Sequence, residues 1–130
     1  MKSSGSSEFN SYKAEVLQRW GGTEAYQEHT EKTKDYGKDK WNCLAAEMDT
    51  IFGEFAVCMK NGDTPEAELS QRLVKKLQNH ITQNYYTCTK EILFGLGQMY
   101  VADERFKNNI DKHADGTAAF AAGAIAHYCK

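Results

Sequence analysis

The chain has 130 residues, of which 41% are hydrophobic and 26% are charged, a composition typical of a globular domain with one core. Its net charge of −2 excludes the strongly basic surface that nucleic-acid-binding domains need, so we expect any DNA contact to come from an upstream domain outside this chain. No apolar run reaches the length of a membrane span and no signal-peptide pattern is present, which predicts a cytoplasmic protein without membrane contact.

Cysteine and histidine do not follow the patterns of a disulfide scaffold or a metal site. The four cysteines are scattered without a C-x-x-C pair, and the four histidines complete no zinc-ligand spacing: Cys43, Cys58, Cys88, Cys129, His29, His80, His113 and His127. We therefore expect four reduced thiols, no metal and no cofactor.

The chain begins with a polar leader followed by two short helical patterns. Residues 1–8 are rich in serine and predict a flexible leader or linker remnant, whereas residues 9–130 predict a single helical domain. We expect a first helix at about residues 11–20 and a second at about 24–34. Because Tyr26 is almost the only large apolar residue of the second helix, this helix should be the least stable part of the domain.

Two longer helices are predicted in the middle of the chain. The first carries an apolar stripe at helical spacing, formed by Trp41, Leu44, Met48, Ile51, Phe52, Phe55 and Met59. The second is expected to open with a cap, a proline in its first turn and an early acid, at Asp63, Thr64, Pro65 and Glu66. Its apolar side is formed by Leu69, Leu73, Leu77 and Ile81, with Val74 and His80 beside them. A short connection predicts that the two helices form an antiparallel pair.

The last third of the chain predicts three further helical segments. Gly95 and Gly97 interrupt a strongly apolar segment, and we interpret them as a point of close approach by another helix, with a ligand as the alternative. Asp103 can cap a short helical turn, and Gly116 precedes a final helix. Five to seven helices without strands predict an all-α fold.

Residues 84–101 contain the only side chain with a physical case for chemistry. If Thr87 caps the following helix, Cys88 lies in its first turn, where unpaired backbone amides favour a thiolate. The alternative is that Cys88 is a small buried hydrophobic residue. A catalytic pair with His80 would require the chain to bend back, because eight residues of helix rise about 12 Å. We therefore expect no enzyme activity.

Aromatic residues are numerous for so small a core, and several lie at predicted helix ends. With a soft thiol nearby, they suit an apolar pocket for a flat heteroaromatic ligand, although a role in the core and at its rim is equally compatible with the composition. The candidate ligand-binding residues are Cys88, Tyr85, Tyr86, His80, Trp41, Tyr36, Tyr26, Trp20, Met99, Tyr100 and Phe106.

Ordered blocks of the sequence resemble the TipA-S type antibiotic-recognition domain. The matching blocks are residues 19–26, Tyr36, residues 38–41, 80–81, 85–91 (YYTCTKE), 95–106 and 109–112. The resemblance implies an all-α, globin-like domain with weakly ordered N-terminal helices. It also implies the C-terminal effector-binding half of a MerR-type transcription activator, compatible with a homodimer in the full-length regulator. A haem in such a globin-like domain would have His80 as its only candidate proximal ligand.

The same resemblance implies a role for individual residues. In the best-known member of the family, a cysteine thiolate adds to a dehydroalanine of a thiopeptide antibiotic, and Cys88 stands at that position. Tyr85 and Tyr86 would line the cleft, and residues 95–100 would pack beside it. The family often has proline before the cysteine, where this chain has Thr87. The alternative function is a structural or protein-interaction helical domain with an inert, buried Cys88.

Overall fold

The computed structural model describes the backbone of residues 22–130 and the side chains of residues 27–130. Within this range the backbone forms six α-helices and no strand, which confirms the prediction of an all-α fold. The helices are α1 (Gly22–Thr33), α2 (Lys38–Lys60), α3 (Glu68–Asn84), α4 (Lys90–Ala102), α5 (Glu104–Asp111) and α6 (Thr117–Tyr128). None of these six is both long enough and apolar enough to cross a membrane.

Helices α2 and α3 form the predicted antiparallel pair. The Lys76 ammonium lies 3.0 Å from the Glu54 carboxylate, and the His80 ring lies 3.6 Å from the Glu47 carboxylate. A later residue on α3 therefore pairs with an earlier residue on α2, as antiparallel helices require. The predicted stripe of α2 is buried from Leu44 to Phe55, with Trp41 and Met59 half-buried at its ends. Helix α2 ends before Gly62, whose φ of 88° lies in the left-handed region that glycine adopts without strain.

The predicted start of α3 is wrong by about one turn. Pro65 precedes the helix, which begins at Glu68, and residues 64–67 form a separate turn. The Ser70 hydroxyl donates to the Thr64 carbonyl at 2.8 Å and the Gln71 amide donates to the Pro65 carbonyl at 2.9 Å. These side chains hold the turn against the helix, and the later start leaves Leu69 53% exposed instead of lining the core as predicted.

Helices α4 and α6 cross closely at Gly97. A Cβ atom built at Gly97 would lie 3.1 Å from the Cγ2 atom of Ile125, which is completely buried. A side chain at this position would require Ile125 to shift, and this confirms the interpretation of Gly97 as a site of close helix packing. The start of α4 lies beside the end of α6, where the Lys90 ammonium is 5.3 Å from the centre of the Tyr128 ring. The two helices are therefore antiparallel.

Helix α5 is short and is fastened at both ends. Asp103 caps it as predicted, since its carboxylate accepts a hydrogen bond from the Arg105 amide at 3.0 Å. After the helix, Lys112 and His113 lie 3.2 Å and 3.0 Å from the Asp49 carboxylate on α2. Burial opposes ionisation of Asp49, but its hydrogen bonds to His113 and Lys112 outweigh that cost and lower its pKa.

Candidate functional site

The candidate site is built around the α3–α4 connection, residues 85–89. Tyr85 and Tyr86 are 1% exposed and Cys88 is 3% exposed, so this short connection contributes three side chains to the core. The Cys88 amide donates to the Thr82 hydroxyl at 3.1 Å, and the Cys88 carbonyl accepts from the Gln78 amide at 2.8 Å. Two side chains of α3 therefore satisfy the backbone on either side of the thiol.

The expected position of Cys88 in the first turn of α4 is wrong. Thr89, not Thr87, caps the helix, and its hydroxyl accepts a hydrogen bond from the Ile92 amide at 3.2 Å. Cys88 therefore precedes the cap, where the helix amides do not stabilise a thiolate. Burial raises the pKa of Cys88 to about 12, and the neighbouring Cys129 adds to the effect. The resting thiol is neutral, which agrees with the alternative of a small buried hydrophobic residue and not with the thiolate that capping by Thr87 would favour.

An aromatic cluster surrounds Tyr85. Its ring stacks on Trp41 with the two ring centres 5.9 Å apart, and the edge of His80 approaches it at the same distance. Trp41 meets Tyr36 edge-on at 5.4 Å, and the Tyr36 hydroxyl donates to the Asn84 carbonyl at 2.6 Å. The fold therefore brings together four predicted binding residues: Tyr36 before α2, Trp41 on α2, His80 on α3 and Tyr85 in the α3–α4 connection.

Helix α1 lies over the α3–α4 connection. The Glu28 carboxylate accepts hydrogen bonds from the amide and the hydroxyl of Thr87, both at 2.9 Å. The Lys32 ammonium donates to the Thr82 carbonyl at 3.0 Å, and the His29 ring lies 6.2 Å from Tyr85 and 6.0 Å from Tyr86 between ring centres. Helix α1 therefore covers the two buried tyrosines through two hydrogen-bonding side chains and one ring.

The remaining predicted binding residues lie deeper in the domain. The Tyr100 ring meets Phe52 edge-on at 5.3 Å and Phe106 at a tilt at 5.7 Å between ring centres, while Met99 is half-buried against the core. Burial raises the pKa of both Tyr86 and Tyr100, and the neighbouring Cys88 thiol adds to both rises. Trp20 and the side chain of Tyr26 lie outside the described residues.

A groove of about 560 Å³ runs along the outer side of α2 and α3. His80 belongs to this groove as well as to the aromatic cluster, so the two features adjoin at its ring. The groove is lined by Glu47, Thr50, Ile51, Arg72, Lys75, Lys76, Asn79, His80 and Gln83. The aromatic cluster on one side of His80 and the basic, partly apolar groove on the other together give space for an extended ligand with flat parts.

Sequence reasoning did not find several residues that build the site. Glu28 and His29 reach the α3–α4 connection from a helix whose sequence offered little apolar area to bury. Gln78 of α3 donates a hydrogen bond to the Cys88 carbonyl. These contacts join residues far apart in sequence, so no local spacing signals them. Across the described part of the chain, histidine, cysteine and acidic side chains form no group of three that could hold a metal ion.

Comparisons with known proteins agree on one family. A family model described as the TipAS antibiotic-recognition domain matches residues 12–128. The HTH-type transcriptional activator TipA of Streptomyces coelicolor is 38% identical over 114 residues, which cover 88% of this chain and 45% of that protein. The HTH-type transcriptional activator mta of Bacillus subtilis is 37% identical over 116 residues, covering 89% and 44%. The chain spans about half the length of the curated relatives it matches.

Solved structures show the same relationship. The complex of nosiheptide with TipAS from Streptomyces lividans, from a thiopeptide antibiotic multidrug resistance system, has a TM-score of 0.76 at 36% identity and covers 92% of this chain and 84% of that one. The antibiotic binding domain of a TipA-class multidrug resistance transcriptional regulator has a TM-score of 0.61 at 32% identity, with coverages of 66% and 92%. The chain therefore belongs to the TipAS antibiotic-recognition domain family.

Proposed function

We propose that this chain is the effector-binding domain of a transcription activator and that it binds large heteroaromatic antibiotics of the thiopeptide class. The binding site is the aromatic cluster together with Cys88. The observation that carries the proposal is the convergence of Tyr36, Trp41 and His80 on Tyr85, three residues before Cys88, in a chain that is 36% identical to TipAS, whose complex with nosiheptide is known. Flat thiazole-like rings stack well on such a surface.

Access to this site requires that α1 moves. In the structure Glu28 binds α1 to Thr87 of the α3–α4 connection and Lys32 binds it to Thr82 of α3, and Tyr85 and Tyr86 beneath it are almost completely buried. A ligand that stacks on these tyrosines takes the place of α1, or α1 packs again over the outer surface of the bound ligand. Because reordering α1 uses part of the binding free energy, the affinity should be lower than the contact area suggests.

We further propose that Cys88 captures a bound thiopeptide covalently. The sulfur adds to the terminal carbon of a dehydroalanine, the carbon–carbon double bond becomes single, and the thiol proton ends on the neighbouring carbon, so no group leaves. With a pKa of about 12, only about one Cys88 thiol in 10⁵ is ionised at pH 7. Capture is therefore slow while α1 is closed and accelerates when opening hydrates the thiol.

The test is a thermal shift with a thiopeptide followed by intact mass under denaturing conditions. We expect a raised melting temperature and a mass increase of one ligand, and we expect Cys88→Ala to keep the thermal shift but lose the adduct. Cys58→Ala is the matched control, because Cys58 is also buried, with a raised pKa, but lies on α2. An unchanged mass after prolonged incubation would exclude covalent capture, and an unchanged melting temperature would exclude this ligand class.

The second candidate is a helical interaction domain in which Cys88 is inert. The observation in its favour is the deep burial and raised pKa of the thiol. A thiol-reagent titration of the native protein distinguishes the two functions. Labelling of Cys88 that is no faster than labelling of Cys58 and insensitive to thiopeptide supports the interaction domain.

The role in transcription rests on the length of the relatives. Since the matched activators are about twice as long as this chain, we propose that DNA is contacted through an upstream domain and that a full-length regulator acts as a homodimer. Joining the chain to such a domain and measuring antibiotic-dependent transcription from a matching promoter tests this proposal. Equal transcription with and without antibiotic contradicts it.

A further inference from the structure

Two thiols lie at the junction of α4 and α6. The Cys88 thiol points to the Thr89 carbonyl at 3.8 Å, and the Cys129 thiol donates to the Lys90 carbonyl at 3.3 Å. These are consecutive carbonyl groups, and consecutive Cα atoms are about 3.8 Å apart. The two sulfurs therefore contact adjacent carbonyl groups of one backbone turn, although 41 residues of sequence and three helices separate them.

A second contact places the two segments together. The Gln78 side chain donates to the Cys88 carbonyl at 2.8 Å, and its oxygen accepts from the Tyr128 hydroxyl at 2.8 Å. One glutamine of α3 thus joins the residue before Cys129 to Cys88 itself. In addition, the charge of Cys129 contributes to the raised pKa of Cys88, which is a further sign of their proximity.

We propose that Cys88 and Cys129 form a disulfide when the protein meets a hydroperoxide, and that this is a modification site of the domain. The bond requires the two Cα atoms to come within about 7 Å of each other. Cys129 is the residue that moves, because it is the C-cap of α6 and the ends of helices fray at little cost. Cys88 is held by hydrogen bonds at both its amide and its carbonyl.

The environments of the two thiols assign the order of the steps. Cys129 is partly exposed, and the nearby Lys90 charge offsets part of the rise in its pKa that burial causes, so Cys129 reacts first. Its sulfur attacks the peroxide, the oxygen–oxygen bond breaks, the sulfur is oxidised to a sulfenic acid and the peroxide is reduced to an alcohol or water. The Cys88 sulfur then displaces hydroxide from the sulfenic acid, and the hydroxide leaves with the Cys88 proton as water.

A consequence for ligand capture follows, and it rests on the proposed function. A Cys88 sulfur that is bonded to Cys129 cannot add to a dehydroalanine. Oxidation therefore blocks covalent capture without filling the aromatic cluster, and reduction restores it. Noncovalent binding at Tyr85 and Trp41 should persist in the oxidised protein, because the stacking contact between these two rings involves neither sulfur.

The experiment exposes the purified protein to hydrogen peroxide, blocks the remaining thiols in denaturant and maps linked peptides by mass spectrometry. We expect a Cys88–Cys129 link, the loss of two titratable thiols and their recovery with dithiothreitol. Cys129→Ser should abolish the link, whereas Cys43→Ser, which removes an exposed thiol on α2, should retain it. Far-ultraviolet circular dichroism of both variants shows that they are folded.

Two results would overturn the inference: oxidation of Cys129 beyond the sulfenic acid with Cys88 still free, or a link that joins Cys88 to Cys43 or Cys58. Adduct formation with a thiopeptide is measured separately on the reduced protein. A mapped link without any adduct contradicts the proposed function and leaves this inference intact. An adduct without a link does the reverse.

Discussion

The two sides of the α3–α4 connection are held by different forces. On one side, α4 and α6 meet without a gap, with Gly97 against the fully buried Ile125. On the other side, α1 is fastened by the Glu28 carboxylate, the Lys32 ammonium and the His29 ring, at a surface where the Glu28 and Lys32 side chains are about one-third exposed. Close apolar packing resists separation, whereas solvated polar contacts exchange readily with water.

The site therefore has a packed wall, formed where α4 meets α6, and a removable wall, formed by α1. Cys88 is anchored to α3 by Thr82 and Gln78, and the amides of Tyr85 and Tyr86 donate to the Ile81 carbonyl of the same helix, so we expect all three residues to keep their positions when α1 leaves.

The packed wall should be the most sensitive. We expect Ile125→Ala to lower the free energy of unfolding by about 2–5 kcal/mol, because it removes buried methyl groups from a contact that cannot close. Urea unfolding followed by circular dichroism measures the change. Val57→Ala is the control, since Val57 is 56% exposed and should cost less than about 0.5 kcal/mol. Equal effects of the two substitutions would contradict the description of this wall.

Gly97→Ala tests the closeness of the same contact. The added methyl group would lie 3.1 Å from Ile125 Cγ2, and we expect overpacking of about 1–3 kcal/mol to exceed the gain of about 1 kcal/mol in helix propensity. In an Ile125→Ala background the contacts with Cγ2 and Cδ1 are removed and only the Cβ contact at 3.3 Å remains, so Gly97→Ala should cost less there than in the unchanged protein. A double-mutant cycle measures this coupling. Additive effects would mean that the helices separate freely at Gly97.

The removable wall should respond to Glu28→Gln. The amide accepts fewer hydrogen bonds from Thr87 than the carboxylate does, and a loss of about 1 kcal/mol raises the open fraction of α1 roughly fivefold. We expect faster iodoacetamide labelling of Cys88 with little change in the urea midpoint. Glu31→Gln is the matched control, because Glu31 lies on α1 and pairs only with Lys34. Labelling of Cys58 serves as the internal reference, and a parallel increase there would indicate global destabilisation instead.

The smallest effect is expected at Asp49, which joins α2 to the segment after α5. Its pKa is lowered in the folded state, so its contribution to stability is present above the unfolded pKa of about 3.9 and is lost as the pH falls further. The carboxylate is 38% exposed, and solvent screening limits the contribution to less than about 1 kcal/mol. Asp49→Asn should therefore flatten the acid limb of the stability profile.

Local patterns predicted most of the helical architecture. The stripe of α2, the Asp103 cap and the glycine before α6 are each encoded within a few residues, and the structure has all three. The start of α3 was misplaced because Thr64 and Pro65 satisfy the usual helix-start pattern, yet their carbonyls accept hydrogen bonds from Ser70 and Gln71 in a separate turn. The same residues therefore fit both a helix start and a separate turn, and the local sequence pattern does not distinguish the two.

The site was less predictable, because its contacts join distant residues. Thr87 and Thr89 flank Cys88 and either could cap a helix, but Thr87 is bound by Glu28, 59 residues away, and Thr89 is left as the cap. Cys88 therefore lies outside α4, and burial raises its pKa, as expected for the buried alternative and not for a cysteine in the first turn of the helix. The aromatic excess did predict that rings converge, although spacing alone could not separate Tyr85 and Trp41 from the deeper Tyr100 and Phe106.

The stacking of Trp41 on Tyr85 also gives the domain an optical reporter. The chain contains two tryptophans, and a Trp20→Phe variant would leave Trp41 as the sole red-edge fluorophore. Its indole lies 5.4 Å from Tyr36 and 5.9 Å from Tyr85 between ring centres, so any ligand that intercalates there changes its emission spectrum and its lifetime. Stopped-flow fluorescence of that single-tryptophan protein would therefore time the entry of a ligand separately from the slower formation of a bond at Cys88.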